Sequence, residues 1–105
     1  MLTSKQRAQL RAMANGLETI FQVGKSGIAD AYISQVDDTL EKRELIKLRV
    51  LETSPLSSKE AAEETAQRTG ADVVQVIGSR FVLYRESKEN KKIELIKPKK
   101  GRKTV

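Results

Sequence analysis

The sequence predicts an α/β fold of α+β-like type, a single domain in αβαβαββ order with three helices and a four-stranded mixed sheet. Three observations carry this expectation. Thr3-Ser4-Lys5-Gln6 and Ser57-Ser58-Lys59-Glu60 have the form of capping boxes, and each opens a stretch with apolar or small residues at helical spacing. Residues 44–51 alternate Ile46, Leu48 and Val50 with Lys47 and Arg49, the period of a strand with one wetter face. Residues 73–77 and 80–85 flank Gly78-Ser79, a two-residue loop suited to a tight hairpin.

In a capping box a hydroxyl and a Gln or Glu side chain satisfy N–H groups that a helix start leaves unpaired. The first such helix is expected over 3–15, where Leu10, Met13, Ala14 and Leu17 recur at helical spacing and Asn15-Gly16 is a stop signal. Residues 18–23 form a short β-prone run, which Gly24-Lys25-Ser26-Gly27 breaks. Ile28, Tyr32, Ile33, Val36 and Leu40 then set a second helical stripe directly behind the glycine loop. Pro55 closes the 44–51 strand. Ala61, Ala62, Thr65, Ala66 and Thr69 line a third helix that stops at Gly70, with side chains small enough for close packing. Both hairpin strands are apolar at nearly every residue, so both of their faces should be covered and the helices must divide between the two faces of the sheet. The links that contain helices two and three are long enough for right-handed crossovers, whereas the last pair must be antiparallel. These patterns leave the strand order open.

The chain has 105 residues, 38% of them hydrophobic and 32% charged, which suits one small domain with a modest core. It contains no Cys, His or Trp, so disulfides, thiolate nucleophiles, imidazole bases and the usual zinc sites are excluded. Asp37 and Asp38 are adjacent and diverge on a helix. Glu60, Glu63 and Glu64 suit the positive end of helix three, and no Ser has a visible activating partner. The expectation is a protein that is not an enzyme and uses no cofactor or metal. Its longest apolar run, Phe81-Val82-Leu83-Tyr84, is far below the roughly 20 residues of a membrane span. The opening MLTSKQRAQL has no apolar signal segment, and a cytoplasmic protein is expected.

The net charge of +6 points to a polyanionic partner. Residues 1–86 hold 12 basic and 12 acidic side chains, whereas 87–105 hold 8 basic and 2 acidic ones, so the C-terminal stretch carries the whole excess. The expected division is a body, 1–86, and a basic extension, 87–105. The extension reads either as a solubility tail or as an arm that touches phosphates. Ile93, Leu95 and Ile96 allow a short extra strand near 92–96, returning along the preceding strand through a polar turn at 87–90.

Gly24, Lys25, Ser26 and Gly27 form the leading candidate binding element. Glycines let the main chain approach a phosphate, a following helix offers a positive dipole end, and Lys25 adds charge. A G-x-x-G spacing is easily met by chance, and the same residues would serve as a plain strand-to-helix turn. The G-x-x-x-x-G-K-[ST] nucleotide loop is absent. Around the loop, Lys5, Arg7 and Arg11 on helix one, Lys47 and Arg49 on the wetter strand face, and Arg80 and Arg85 at the ends of the last strand could form a basic surface. Each of them could equally be an ordinary solvated or paired charge. Residues 78–84 imitate part of an RRM signature, but Ser79 and Arg80 stand where it needs an aromatic and a small residue. The four aromatics, Phe21, Tyr32, Phe81 and Tyr84, are expected mostly in the core, leaving base stacking minor.

Taken together, LTSKQRAQLRAMANGLETIFQVGKSG, the ELIKLRV strand and TGADVVQVIGSRFVLYR resemble the CRM domain, named for chloroplast RNA splicing and ribosome maturation, over residues 2–86. The likeness is to its stand-alone bacterial form, the YhbY-like proteins. The resemblance implies RNA binding through a G-x-x-G loop at Gly24–Gly27 and a nearby basic surface. For bacterial members it implies association with ribosomal RNA in precursors of the large ribosomal subunit. A general nucleic-acid or protein interaction module with affinity supplied by the basic extension is the competing reading. The Lys-rich extension lies outside the shared pattern.

Truncation after Ile96 removes KPKKGRKTV, with five cations and no carboxylate. Thermal stability should stay nearly unaltered, while the salt dependence of RNA affinity flattens by about 0.7 in log–log slope for each single-strand phosphate that the protein ceases to neutralise. Melting curves and titrations at several salt concentrations test this, and an unchanged slope would make the segment a solubility device.

Overall fold

A computed structural model describes residues 2–96; Met1 and residues 97–105, the last part of the basic extension, lie outside the described residues. The elements follow the predicted order: α1 (Ser4–Ala14), β1 (Thr19–Val23), α2 (Asp30–Arg43), β2 (Leu45–Val50), α3 (Ser58–Thr69), β3 (Asp72–Ile77) and β4 (Arg80–Tyr84). Both capping boxes form. The Gln6 N–H donates to Thr3 Oγ1 (3.1 Å) and the Thr3 N–H to Gln6 Oε1 (3.0 Å), with the same reciprocal pair at Ser57 and Glu60. α3 ends at Gly70 with φ +75°, a left-handed cap that glycine adopts without steric cost.

The sheet order is β1-β2-β4-β3, with β1 parallel to β2 and β4 antiparallel to both neighbours. β4 is therefore central, and its residues alternate between two cores. Phe81 and Leu83 join Val23, Ile46 and Leu48 beneath α2 and α3, where Ala61, Ala62 and Ala66 allow close approach. Val82 and Tyr84 join Leu45, Val74, Leu10 and Ala14 beneath α1. The expected burial on both faces thus holds for β4. It fails at the end of β3, an edge strand whose Val76 and Ile77 are exposed, because no described element covers that corner.

Two further expectations are corrected. α2 begins at Asp30 rather than directly behind Gly27, since Ile28 packs against the first core and Ala29 is extended. No strand forms near 92–96, because β2 pairs along one edge of β4 and β3 along the other, leaving no free edge for a returning strand. Side chains fasten this stretch instead. Gln9 accepts from the Ile96 N–H (2.8 Å) and donates to the Glu94 carbonyl (2.8 Å), Gln6 donates to the Ile96 carbonyl (2.9 Å), and Ile93 is buried in the second core.

The main fastening is Glu44. It is fully buried at the C-terminal end of α2, with φ +68°. Its carboxylate accepts the N–H groups of Ser87, Lys92 and Ile93, each at 2.7 Å, and its carbonyl accepts from the Arg85 N–H (2.9 Å). Burial pushes the Glu44 carboxyl pKa up, but the three donors and the Lys91 charge outweigh it and hold the pKa below the ordinary carboxylate value. Glu41 is also lowered, first by the Ser87 hydroxyl and then by the Glu89 and Lys88 N–H groups.

A carboxyl group with a lower pKa in the folded state contributes stability at neutral pH, which is lost as pH falls from the unfolded value through the folded one. Glu44→Ala should destabilise by on the order of 3 kcal/mol, because the buried N–H groups of Ser87 and Ile93 and the partly buried one of Lys92 lose their acceptor. Glu44→Gln should destabilise less and flatten the acid limb of Tm against pH, with Glu41 supplying what remains. Superimposable wild-type and Glu44→Gln profiles in circular dichroism melts would contradict this account.

Candidate nucleic-acid interface

β1 and β2 are parallel and β4 runs against them, so three connections meet at one end of the sheet: Gly24–Gly27 after β1, residues 51–55 after β2, and Gly78-Ser79 before β4. The first is a turn closed by the Gly27 N–H on the Gly24 carbonyl (2.9 Å), with Gly27 at φ +68° and Lys25 and Ser26 exposed at its tip. A Cβ on Gly24 would stand 3.4 Å from Leu51 Cδ1, so the turn lies against the neighbouring loop. The positive end of α2 is three residues away and carries Asp30, which pairs with Arg68 (2.7 Å). What the turn itself offers is glycine-lined backbone and Lys25.

Next to the turn, one row crosses the sheet. Gln22 pairs with Arg49, Arg49 with Arg80, and Arg80 with Ile77; all four are exposed. Directly opposed residues share a sheet face, and this is the face of Val82 and Tyr84, which α1 covers only at the other end. Lys47 lies on the same face and is half-buried. Two grooves that share Leu17, Glu18 and Lys47 run along it, one reaching Arg43 and the other Arg80. Among the described residues no ion pair involves Lys25, Lys47, Arg49 or Arg80.

The remaining sequence candidates separate. Lys5 and Arg11 are exposed on α1. Arg7 donates to the Val73 carbonyl, and Arg85 donates to Asp37 Oδ1, the Asp37 carbonyl (2.9 Å) and the Thr69 carbonyl (2.7 Å). These two guanidinium groups tie α1 to β3 and β4 to α2 and α3. Sequence reasoning passed over Arg43, which as the last residue of α2 reads as an ordinary complement to the helix dipole; the groove that it lines together with Lys47 exists only in the folded chain. No aromatic is exposed among the described residues. Phe81 and Tyr84 are buried, and the half-buried Phe21 and Tyr32 meet edge to face with centroids 6.3 Å apart.

This fold and surface define a small mixed α/β domain with an open, cation-bearing sheet end. The chain belongs to the CRS1 / YhbY (CRM) domain family, which it matches over residues 2–85. It is 48% identical over 95 residues to probable RNA-binding protein YqeI of Bacillus subtilis (strain 168), spanning 90% of this chain and 99% of the relative. It is 40% identical over 101 residues to probable RNA-binding protein MJ0652 of Methanocaldococcus jannaschii, spanning 94% and 75% respectively. The solution structure of SAV1595 from Staphylococcus aureus is similar with a TM-score of 0.77 and 54% identity, over 91% of this chain and 100% of that one. The family and fold expected from the sequence are borne out. The relatives' names describe RNA-binding proteins rather than enzymes, and no described helix is long and apolar enough to cross a membrane.

Since Arg85 is committed to contacts within the fold, Arg85→Ala should lower stability by about 1–3 kcal/mol and leave the RNA affinity of the folded fraction unchanged. Denaturant unfolding paired with a binding titration checks both. Affinity loss at unchanged stability would move Arg85 into the interface.

Proposed function

We propose that this protein is a non-catalytic RNA-binding protein of the cytoplasm that assists assembly of the large ribosomal subunit. Its Gly24–Gly27 turn and the neighbouring Lys47, Arg49 and Arg80 meet the sugar-phosphate backbone. The observation that carries this reading is the convergence, among the described residues, of an exposed glycine turn and unpaired cations at one end of the sheet, in a chain whose relatives are named RNA-binding proteins. A cationic face without exposed aromatics suits recognition of backbone and shape rather than stacking on single bases. Immature ribosomal RNA presents folded surfaces that later proteins cover, and the resemblance to the stand-alone bacterial YhbY-like proteins implies association with large-subunit precursors. Lys5 and Arg11 add exposed charge on α1, while Arg7 and Arg85, bonded within the fold at the opposite end of the sheet, take no part in the interface on this reading.

Lys25→Asp should leave unfolding cooperative and weaken RNA binding, since it reverses a charge at an exposed turn without opening the core. In sucrose gradients the wild-type protein should co-sediment with incomplete large subunits and be depleted from translating ribosomes, and Lys25→Asp should shift toward the top. A wild-type protein found only at the top, or tracking polysomes in proportion to total RNA, would overturn the assembly role. Unchanged affinity of Lys25→Asp would remove the loop from the interface.

A further inference from the structure

Resting on the RNA-binding reading, we propose that Arg49 and Arg80 act together as a clamp for one backbone phosphate, built from a like-charge pair that destabilises the free protein. The Val50 N–H donates to the Ser79 carbonyl and the Arg85 N–H to the Glu44 carbonyl. In the antiparallel alternation these bonds mark the Val50–Ser79 and Glu44–Arg85 positions as hydrogen-bonded pairs. Counting along the register, Arg49–Arg80 is a non-hydrogen-bonded pair, the kind in which Cα atoms stand about 4.5 Å apart and side chains come closest.

Two guanidinium groups thus leave neighbouring strands side by side on one exposed face. Like charges directly opposed on a sheet are destabilising, and nothing among the described residues offsets them. Glu18 shares the groove with Lys47 and Arg80, and Glu52 stands in the loop after β2, yet neither forms an ion pair with them. The next row of the sheet adds Lys47 rather than a carboxylate. An anion placed between the two forks turns the repulsion into two charge-assisted interactions, and guanidinium geometry suits a phosphate. Gln22, in the same row, stands two residues before Gly24. A strand of RNA that passes the glycine turn therefore meets the pair next.

This arrangement opposes stability to binding, which an ordinary solvated arginine would not do. The test measures Tm and RNA affinity for wild type, Arg49→Gln, Arg80→Gln and the double variant. It adds Tm in inorganic phosphate against sodium chloride at equal ionic strength. Each single variant should melt higher by roughly 1–6 °C. Each should bind RNA several-fold more weakly, with a salt slope shallower by up to about 0.7–0.9. Phosphate should raise the Tm of wild type more than that of either variant. The affinity losses should be sub-multiplicative in the double variant, since both groups serve one anion. Lower Tm in both single variants, multiplicative losses, or unchanged affinity beside a wild type that binds RNA would overturn the clamp and leave the RNA-binding reading standing. A wild type that gains stability from phosphate through this pair but does not bind RNA would overturn that reading and leave the clamp standing.

Discussion

The Glu44 carboxylate is the interaction on which most of the architecture depends. A buried charge at the C-terminal end of a helix faces two opposing effects, loss of hydration and the negative end of the helix dipole. Three N–H donors from the segment after β4, together with the Lys91 charge, outweigh the loss of hydration, so its pKa is lowered rather than raised. The same residue caps α2, immediately precedes β2 and receives the N–H of Arg85, so one side chain and its peptide group link four stretches of chain. Its φ of +68° is tolerated because the contacts on every side determine its position.

This fastening gives the sheet two unlike ends. At the Glu44 end, the returning segment lays Ile93 over Leu45, Val82 and Tyr84, and Gln6 and Gln9 hold it against α1. At the other end the strands finish in three turns, and the face that α1 does not reach carries Arg49, Arg80 and Lys47. The asymmetry follows from length. α1 has 11 residues and cannot cover the whole sheet face, and the described chain after β4, up to residue 96, is drawn toward Glu44 rather than across the open half. Closure at one end leaves cations open to solvent at the other.

Much of this was legible in the sequence because it is local. Capping boxes, the Gly70 stop, the alternation in β2 and the Gly78-Ser79 turn each depend on residues within a few positions of one another. The strand order was not legible, since inserting β4 between β2 and β3 is decided by packing between distant segments. That one fact governs the other misses. It removes the free edge that a strand near 92–96 would have needed, it leaves Val76 and Ile77 at an uncovered corner, and it brings Arg49 opposite Arg80. Glu44, inside Glu41-Lys42-Arg43-Glu44, looks like one more solvated charge until the chain returns to it. The arginines show the same limit. Arg7 and Arg85 bond within the fold while Arg49 and Arg80 remain open to solvent, although composition makes the four equivalent.

The proposed interface carries its charge on a rigid support, and this shapes what it can recognise. Strand residues hold their Cα spacing through ladder hydrogen bonds, and the Gly24–Gly27 turn is steadied by its closing hydrogen bond and by Leu51, Thr53 and Pro55 alongside. Cations fixed at such intervals favour a backbone whose phosphates are already spaced to match, as in folded RNA, over a flexible strand that must be ordered on binding. With Phe81 and Tyr84 buried and Phe21 and Tyr32 packed edge to face, no ring is free to capture a splayed base. Selectivity on this reading comes from the geometry of the phosphates, and it is set by the same strand pairing that closes the core.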